Sequence, residues 1–197
     1  MKRMLDIGLG IVMLVVFAPA FALLSLFIAL DGGQIFYGHH RVGRGGKTFA
    51  CYKFRTMIVG AHECLDEYLA LHPAAAVEWR NNQKLDNDLR ITPVGRFLRR
   101  TSLDELPQIW NVLRGEMSLV GPRPVTQIEL ARYGDNVDRL LSVRPGMTGL
   151  WQVSGRNRLS YSERVALDMR YIANRSLWRD CIILFKTIRV LLQRDGK

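Results

Sequence analysis

The chain has 197 residues, of which 48% are apolar, and a formal charge of +10. That length builds one compact core and is short for two, so one domain with an attachment is expected. The charge calls for an anionic partner, which nucleic acid, an acidic lipid surface or a phosphorylated small molecule would all satisfy. Three cysteines, Cys51, Cys64 and Cys181, are widely spaced, with no CxxC pair and no neighbouring His cluster. They exclude a disulfide framework or a zinc site and suit a reducing compartment.

The first element is Leu5–Leu30, apolar except for Asp6 and Ser25. As a straight helix it would be about 39 Å long, against a hydrocarbon core of about 30 Å. Three readings compete. A signal peptide could be cleaved after Ala20 or Ala22, but the apolar run LLSLFIAL continues past that point. A single span fits the length, yet cations flank both ends: Lys2 and Arg3 before it, Arg41, Arg44 and Lys47 after it. One crossing cannot put both flanks on the cytoplasmic side. A re-entrant helix that breaks at Pro19 satisfies both the charges and the proline, provided the freed carbonyl near Val15 finds a partner. We favour this third reading.

Gly32-Gly33 closes the segment, and QIFYGHHRVGRGGKTFACYKFRTM then alternates like short strands around a glycine-rich turn. GRGGK lacks the spacing of a phosphate loop and is read as a hairpin turn. His39-His40 is assigned to a loop, and His62 and His72 to the surface. Ala61–Leu71 has helical spacing, Ala74–Lys84 is a second short helix, and polar NNQKLDND is a loop. From Leu177 onward, Leu177, Cys181, Leu184, Phe185, Ile188 and Leu192 recur at helical spacing among Arg179, Lys186, Arg189 and Arg194. This last helix either packs on the core or lies at a lipid surface.

Between these elements stands TSLDELPQ, with Asp104 and Glu105 following Arg96, Arg99 and Arg100. A local reading is a helix start, with Ser102 as N-cap in a capping box with Glu105, or with Asp104 as N-cap and Pro107 in the first turn. Either would set Asp104 at a positive dipole end, keeping it ionised. A cap needs neither the arginines upstream nor the loops SLVGPRP and RPGMTGLWQVSGRN downstream. Those loops add Arg123, Arg144, Arg156 and Arg158, with the amides Gln152 and Asn157. Such groups suit phosphate and nucleobase contacts. On the residues alone, a phosphate-handling enzyme and a basic binding module stand level.

The motifs KFRTM, RFLRRTSLDELPQIWNVLRGEMSLVGPRP and RPGMTGLWQVSGRN, in this order after a basic-flanked apolar segment, resemble the monotopic polyprenyl-phosphate phosphoglycosyl transferases, or bacterial sugar transferases. The resemblance covers almost the whole chain. It implies an α+β, mainly helical fold: a re-entrant membrane helix over 1–31, a catalytic domain over 32–175, and a C-terminal amphipathic helix over 176–197 that is part of the same domain.

The resemblance also implies a reaction. Asp104 matches the nucleophile that attacks the β-phosphorus of a UDP-sugar, giving a phosphosugar-aspartyl intermediate and UMP. Undecaprenyl phosphate then takes the phosphosugar, and Glu105 matches the assisting acid, with Mg²⁺ as cofactor held by the pair. Arg99 and Arg123 are implied in phosphate binding, and Lys53, Arg55, Gln152, Arg156 and Asn157 in binding nucleotide or lipid phosphate. Galactose or glucose is the favoured sugar. The expected place is the bacterial inner membrane, with the catalytic domain on its cytoplasmic face and a homodimer compatible with it.

Two departures from the family pattern stand out. Ala18-Pro19 replaces the family's Ser-Pro at the helix break, and Asp88-Leu89-Arg90 stands where many relatives have Asp-Pro-Arg. A nucleic-acid binder is disfavoured by the apolar N-terminus and the absence of a reading motif. An inactive membrane-tethered scaffold is disfavoured by the joint presence of Arg99, Asp104 and Glu105.

Overall fold

The apolar N-terminal segment folds as one helix, α1 (Lys2–Ala29), in the computed structural model. The structure describes residues 1–30, 32–82, 85 and 88–192, without the side chains of residues 62, 78, 81, 82, 157 and 192. Along α1, Gly10, Met13, Phe17, Phe21, Leu24 and Ile28 recur every three or four positions, which puts them on one face. That face packs on the rest of the chain, while Val12, Val15, Val16, Leu23, Leu26 and Leu30 on the opposite face stay exposed. α1 is long and apolar enough to cross a membrane.

The expected break at Pro19 does not end the helix, which runs through it. A proline deletes one ladder bond, and Phe17 and Phe21 on either side pack against the same core cluster, so burial carries the helix across the gap.

A hairpin follows, β1 (Phe36–Val42) and β2 (Thr48–Phe54), antiparallel with Phe36 opposite Phe54 and Val42 opposite Thr48. Its turn uses Gly45 and Gly46 at φ 69° and 76°, the left-handed region that glycine enters without a Cβ clash. His39 and His40, expected in a loop, lie in β1. Pairing with Cys51 and Ala50 overrides their weak strand preference.

α2 (Ala61–Leu71) has the expected bounds, and α3 (Pro73–Asn82) begins one residue earlier than expected, while the last two residues expected in it, 83 and 84, lie outside the described ones. Of the polar loop expected over NNQKLDND, Asn81 and Asn82 belong to α3 instead, and residues 83, 84, 86 and 87 lie outside the described residues, as does Arg194. α4 (Pro93–Thr101), a short 3-10 turn (Leu103–Glu105) and α5 (Gln108–Arg114) lead to β3 (Ser118–Val120). Then come α6 (Gln127–Leu130), α7 (Val137–Leu141), β4 (Gly146–Thr148), α8 (Tyr161–Ala173) and α9 (Leu177–Leu192). β3 and β4 pair in parallel, so the fold is mainly helical with two small two-stranded sheets among the described residues.

The core has three parts. Phe54, Leu98, Leu106 and Ile109 pack under α1 with Leu24 and Ile28. Phe49, Cys51, Val112, Met117, Leu119 and Val120 join the hairpin and β3 to Tyr171 and Ile183. Val125, Tyr133, Leu140 and Met169 form the third. Ile183 is thus buried while Trp178, Phe185 and Ile188 on another face of α9 are exposed, so α9 both packs on the core and presents an apolar stripe outward.

Both ends of α1 are tied to the same body. Lys2 Nζ donates to the Val120 carbonyl at 3.0 Å and pairs with Asp180, and Arg3 donates to the carbonyls of Val112 and Leu113 at the end of α5. At the far end, Arg55 Nη2 donates to the Ile28 carbonyl at 2.9 Å.

Candidate active site

α4 is locked at its start. Thr92 Oγ1 accepts from the Gly95 N–H at 2.9 Å, and the Thr92 N–H donates to the Thr56 carbonyl at 3.1 Å. A Cβ at Gly95 would collide with the Thr56 backbone, so glycine sets how closely α4 approaches the segment after β2. One consequence is that Arg99, in the last turn of α4, reaches back to donate from Nε to Thr56 Oγ1 at 2.9 Å.

α4 then stops on Ser102, a non-glycine residue at φ 58°. Such a conformation costs on the order of 1–3 kcal/mol. The Ser102 N–H bonds to the Arg99 and Leu98 carbonyls, closing α4. This corrects the expected capping in part. Ser102 both ends α4 and stands at the N-cap of the 3-10 turn, as expected, but its side chain makes no cap bond and no capping box with Glu105 forms. Asp104 lies inside the 3-10 turn, and Pro107, not Asp104, is the N-cap of α5.

The turn delivers the dyad to the end of the hairpin. Lys53 Nζ, on β2, sits 2.7 Å from Glu105 Oε1 and 3.8 Å from Asp104 Oδ2. Asn111 fixes this pairing from below: fully buried on α5, it accepts from the Tyr52 N–H at 3.0 Å and donates to the Ala50 carbonyl and to Glu116, each at 2.7 Å. One side chain therefore sets the register between Lys53 and the dyad.

Asp104 is buried, and that burial pushes its carboxyl up to about 6; Lys53 opposes the shift, Glu105 adds to it, and Arg99 opposes it. The expectation that Asp104 stays ionised is compatible with this value, although desolvation outweighs the favourable charges and makes the group more basic than an exposed aspartate. The group still ionises below neutral pH. Arg99 is itself lowered by burial, and the charges of Asp104 and Asp88 work against that. Asp88 holds Arg90 in a two-pronged ion pair at 2.8 and 2.7 Å. The expected looser entry at Asp88-Leu89-Arg90 is therefore cross-braced without a proline.

Of the expected residues, Lys53, Arg99, Asp104 and Glu105 are brought together. Among the described residues no hydrogen bond or ion pair joins the dyad to Arg55, Arg123, Gln152 or Arg156. Arg55 serves the end of α1. Arg123 lies 5.9 Å over the Trp151 ring, and Gln152 Nε2 donates to the Met147 carbonyl at 3.2 Å. Arg156 is half-buried at φ 52° in another 3-10 turn, Arg156–Arg158. The side chain of Asn157 lies outside the described ones.

The charges of Lys53 and Glu105 on one side, and of Arg41 and Arg123 on the other, all act on the buried Cys51. Its thiol is pushed up to about 11 by burial, which removes it as a competing nucleophile. Arg41 pairs with Glu129 at 2.8 Å, and Glu129 also completes a capping box with Thr126. Sequence reading missed Thr56, Asn111 and this Arg41–Glu129 pair. For Asn111 a signal existed, an amide flanked by Ile109, Trp110, Val112 and Leu113; the other two depend on contacts 43 and 88 residues apart.

Among the described residues, no group of three or more His, Cys, Asp or Glu forms a metal cage. A divalent cation at the dyad would have two carboxylates and would draw its other ligands from elsewhere. That donor set fits Mg²⁺, which binds through one or two carboxylates together with substrate phosphates.

The sequence profile of the family described as bacterial sugar transferase matches residues 1–194. An uncharacterized sugar transferase of Haemophilus influenzae is 56% identical over 100% of this chain and 42% of its own length. The undecaprenyl-phosphate galactose phosphotransferase of Salmonella typhimurium is 55% identical over 100% of this chain and 41% of its own length. The exopolysaccharide production protein ExoY of Rhizobium meliloti is 50% identical over 99% of this chain and 87% of its own length. The chain thus spans about two fifths of the first two and most of the third. A match over nearly every residue, including the segment that carries Asp104 and Glu105, shows that the chain belongs to the bacterial sugar transferase family.

Proposed function

We propose that the chain transfers a sugar 1-phosphate from a UDP-sugar, with galactose or glucose favoured, to undecaprenyl phosphate, releasing UMP in the first membrane step of exopolysaccharide assembly. The observation that carries this reading is the setting of Asp104: a buried carboxylate, ionised at neutral pH, with Lys53 Nζ 3.8 Å away and the Arg99 charge close enough to favour its ionised form. The name of the Salmonella typhimurium relative supports the substrate class.

In this account an Asp104 oxygen attacks the β-phosphorus of the donor. A P–O bond forms, the bond from that phosphorus to the bridging oxygen breaks, and the bridging oxygen leaves with UMP. An undecaprenyl phosphate oxygen then attacks the same phosphorus, and the Asp104–phosphorus bond breaks to restore the carboxylate. An anionic nucleophile approaching an anionic diphosphate needs positive charge at the site, and Lys53 and Arg99 supply it. Desolvation keeps Asp104 poised near 6, so it is ionised yet more basic than an exposed aspartate. Glu105 holds Lys53 in place beside it. Mg²⁺, when bound by Asp104 and Glu105, would neutralise diphosphate charge.

We also infer that α1 is re-entrant rather than spanning, a continuous helix that bends at Pro19, and that it sits in the bacterial inner membrane with the catalytic part on the cytoplasmic face. A straight helix of this length would reach about 42 Å, yet Lys2 and Arg3 at one end and Ile28 at the other are both bonded to one folded body. A helix crossing a bilayer would carry one of those ends to the far side. The transfer is tested by incubating the chain with a panel of UDP-sugars and undecaprenyl phosphate. UMP release that requires both substrates in turnover is expected, and no release from any UDP-sugar would refute the activity.

A further inference from the structure

A cavity of about 190 Å³ opens at the start of α1, away from the dyad, and its lining includes five cations, Lys2, Arg3, Arg44, Arg144 and Arg175. One carboxylate, Asp6, also lines it, but that group is already engaged: both oxygens accept from Ser118 Oγ and one from the Leu119 N–H. None of Lys53, Arg99, Asp104 or Glu105 borders this space.

The five cations divide by what they do. Lys2 is held by Asp180 and the Val120 carbonyl, and Arg3 by the carbonyls that end α5. Those two are explained by anchoring α1. Arg144 spends Nε on the Gly115 carbonyl at 2.7 Å, and its two terminal nitrogens make no hydrogen bond among the described residues. Arg44 and Arg175 are exposed and make neither a hydrogen bond nor an ion pair among the described residues. Three guanidinium groups thus converge on a space whose sole lining acid is already saturated. Convergence of like charges is costly unless an anion offsets it, and arginine forks match phosphate oxygens in pairs.

Size selects among anions. Pockets for drug-sized ligands run to roughly 300–1,000 Å³, so this one is too small for a nucleotide-sugar and suits one phosphoryl group. Its position at the foot of α1, whose outer face is apolar and exposed from Met4 onward, places it where a lipid head group would lie.

We propose that this cavity is a second anion site, binding a single phosphoryl group through Arg44, Arg144 and Arg175. The inference does not depend on the transfer reaction. The phosphoryl group could be that of a lipid head group or of free phosphate, and the test separates the two.

The full chain in neutral detergent is titrated with inorganic phosphate by calorimetry, and its melting is compared in micelles doped with phosphatidylglycerol or with phosphatidylcholine. The same measurements are made on Arg44→Gln/Arg175→Gln, whose exposed side chains hold nothing else in place. Arg139→Gln/Arg170→Gln, the same charge change outside the cavity, serves as control. Saturable phosphate binding that weakens at least about tenfold in the cavity variant and not in the control supports the site with free phosphate as ligand. A rise in melting temperature specific to phosphatidylglycerol, lost in the cavity variant alone, supports it with a lipid head group as ligand. No saturable response to either probe, or equal responses in the cavity and control variants, overturns it.

Discussion

Lys53 Nζ stands 2.7 Å from Glu105 Oε1 and so is held where its charge also acts on Asp104. This makes Lys53 a regulator of the ionisation of Asp104 and not a surface ion pair. Lys53→Met should therefore lower the rate of UMP release by roughly tenfold to a hundredfold, about 1.4–2.7 kcal/mol of barrier. It should also move the acid limb of the pH profile upward, because a cation that favours ionised Asp104 is gone. A rate loss with an unmoved acid limb would mean that Lys53 contacts substrate without tuning Asp104.

The raised carboxyl of Asp104 has opposite consequences for activity and stability. Its folded value of about 6 exceeds the unfolded value of 3.8, so the folded state holds the proton more tightly between them. Folding is therefore favoured at low pH and loses stability as pH rises through about 6. Asp104→Asn removes that cost. At pH 7 and without substrate the variant should unfold at a higher temperature than the parent, with a gain of up to about 3 kcal/mol. The gain should vanish toward pH 4. A variant less stable than the parent at pH 7 would contradict the desolvation account.

A second buried carboxyl predicts a purely structural effect. Asp168 is fully buried, its value is pushed up to about 7 by burial, and Tyr133 donates to its Oδ2 at 2.9 Å. Tyr133→Phe deletes a donor that favours the ionised form. Destabilisation of about 1–3 kcal/mol is expected, larger at pH 8, where Asp168 ionises, than at pH 6. Equal losses at both pH values would show that packing, not the hydrogen bond, is what the hydroxyl supplies.

The re-entrant reading of α1 predicts where its ends are reached. Small tags placed at residue 1 and at residue 35 should be labelled only after the cytoplasmic side is opened. Labelling of either tag in intact cells by a reagent confined to the periplasm would establish a span.

Much of this was legible in the sequence, and the exceptions share a cause. The hairpin, α2 and α9 announce themselves through local periodicity, and the adjacent acids among arginines marked the turn that meets Lys53. What local pattern misjudged was the turn's geometry: Ser102 does stand at the N-cap of the 3-10 turn, but as the left-handed terminator of the preceding helix, with a side chain that makes no cap bond. Pro19 reads as a helix end, but the helix continues through it, with Phe17 and Phe21 packed on the same cluster. The partners that position the site, Thr56 to Arg99 and Arg41 to Glu129, join distant segments. No short window of sequence contains such a pair. The upward push on the Asp104 carboxyl was not legible for the same reason, since burial is a property of the assembled fold.

The covalent step at Asp104 is the centre of this account, and one measurement addresses it directly. The chain is incubated with UDP-galactose and Mg²⁺ but no undecaprenyl phosphate, then analysed by intact and peptide mass spectrometry. The account predicts a hexose-phosphate adduct on the peptide that contains Asp104, formed with an equal amount of UMP and discharged when undecaprenyl phosphate is added. Turnover to UMP and lipid-linked sugar by a protein that never carries the adduct, or by Asp104→Asn, would contradict it.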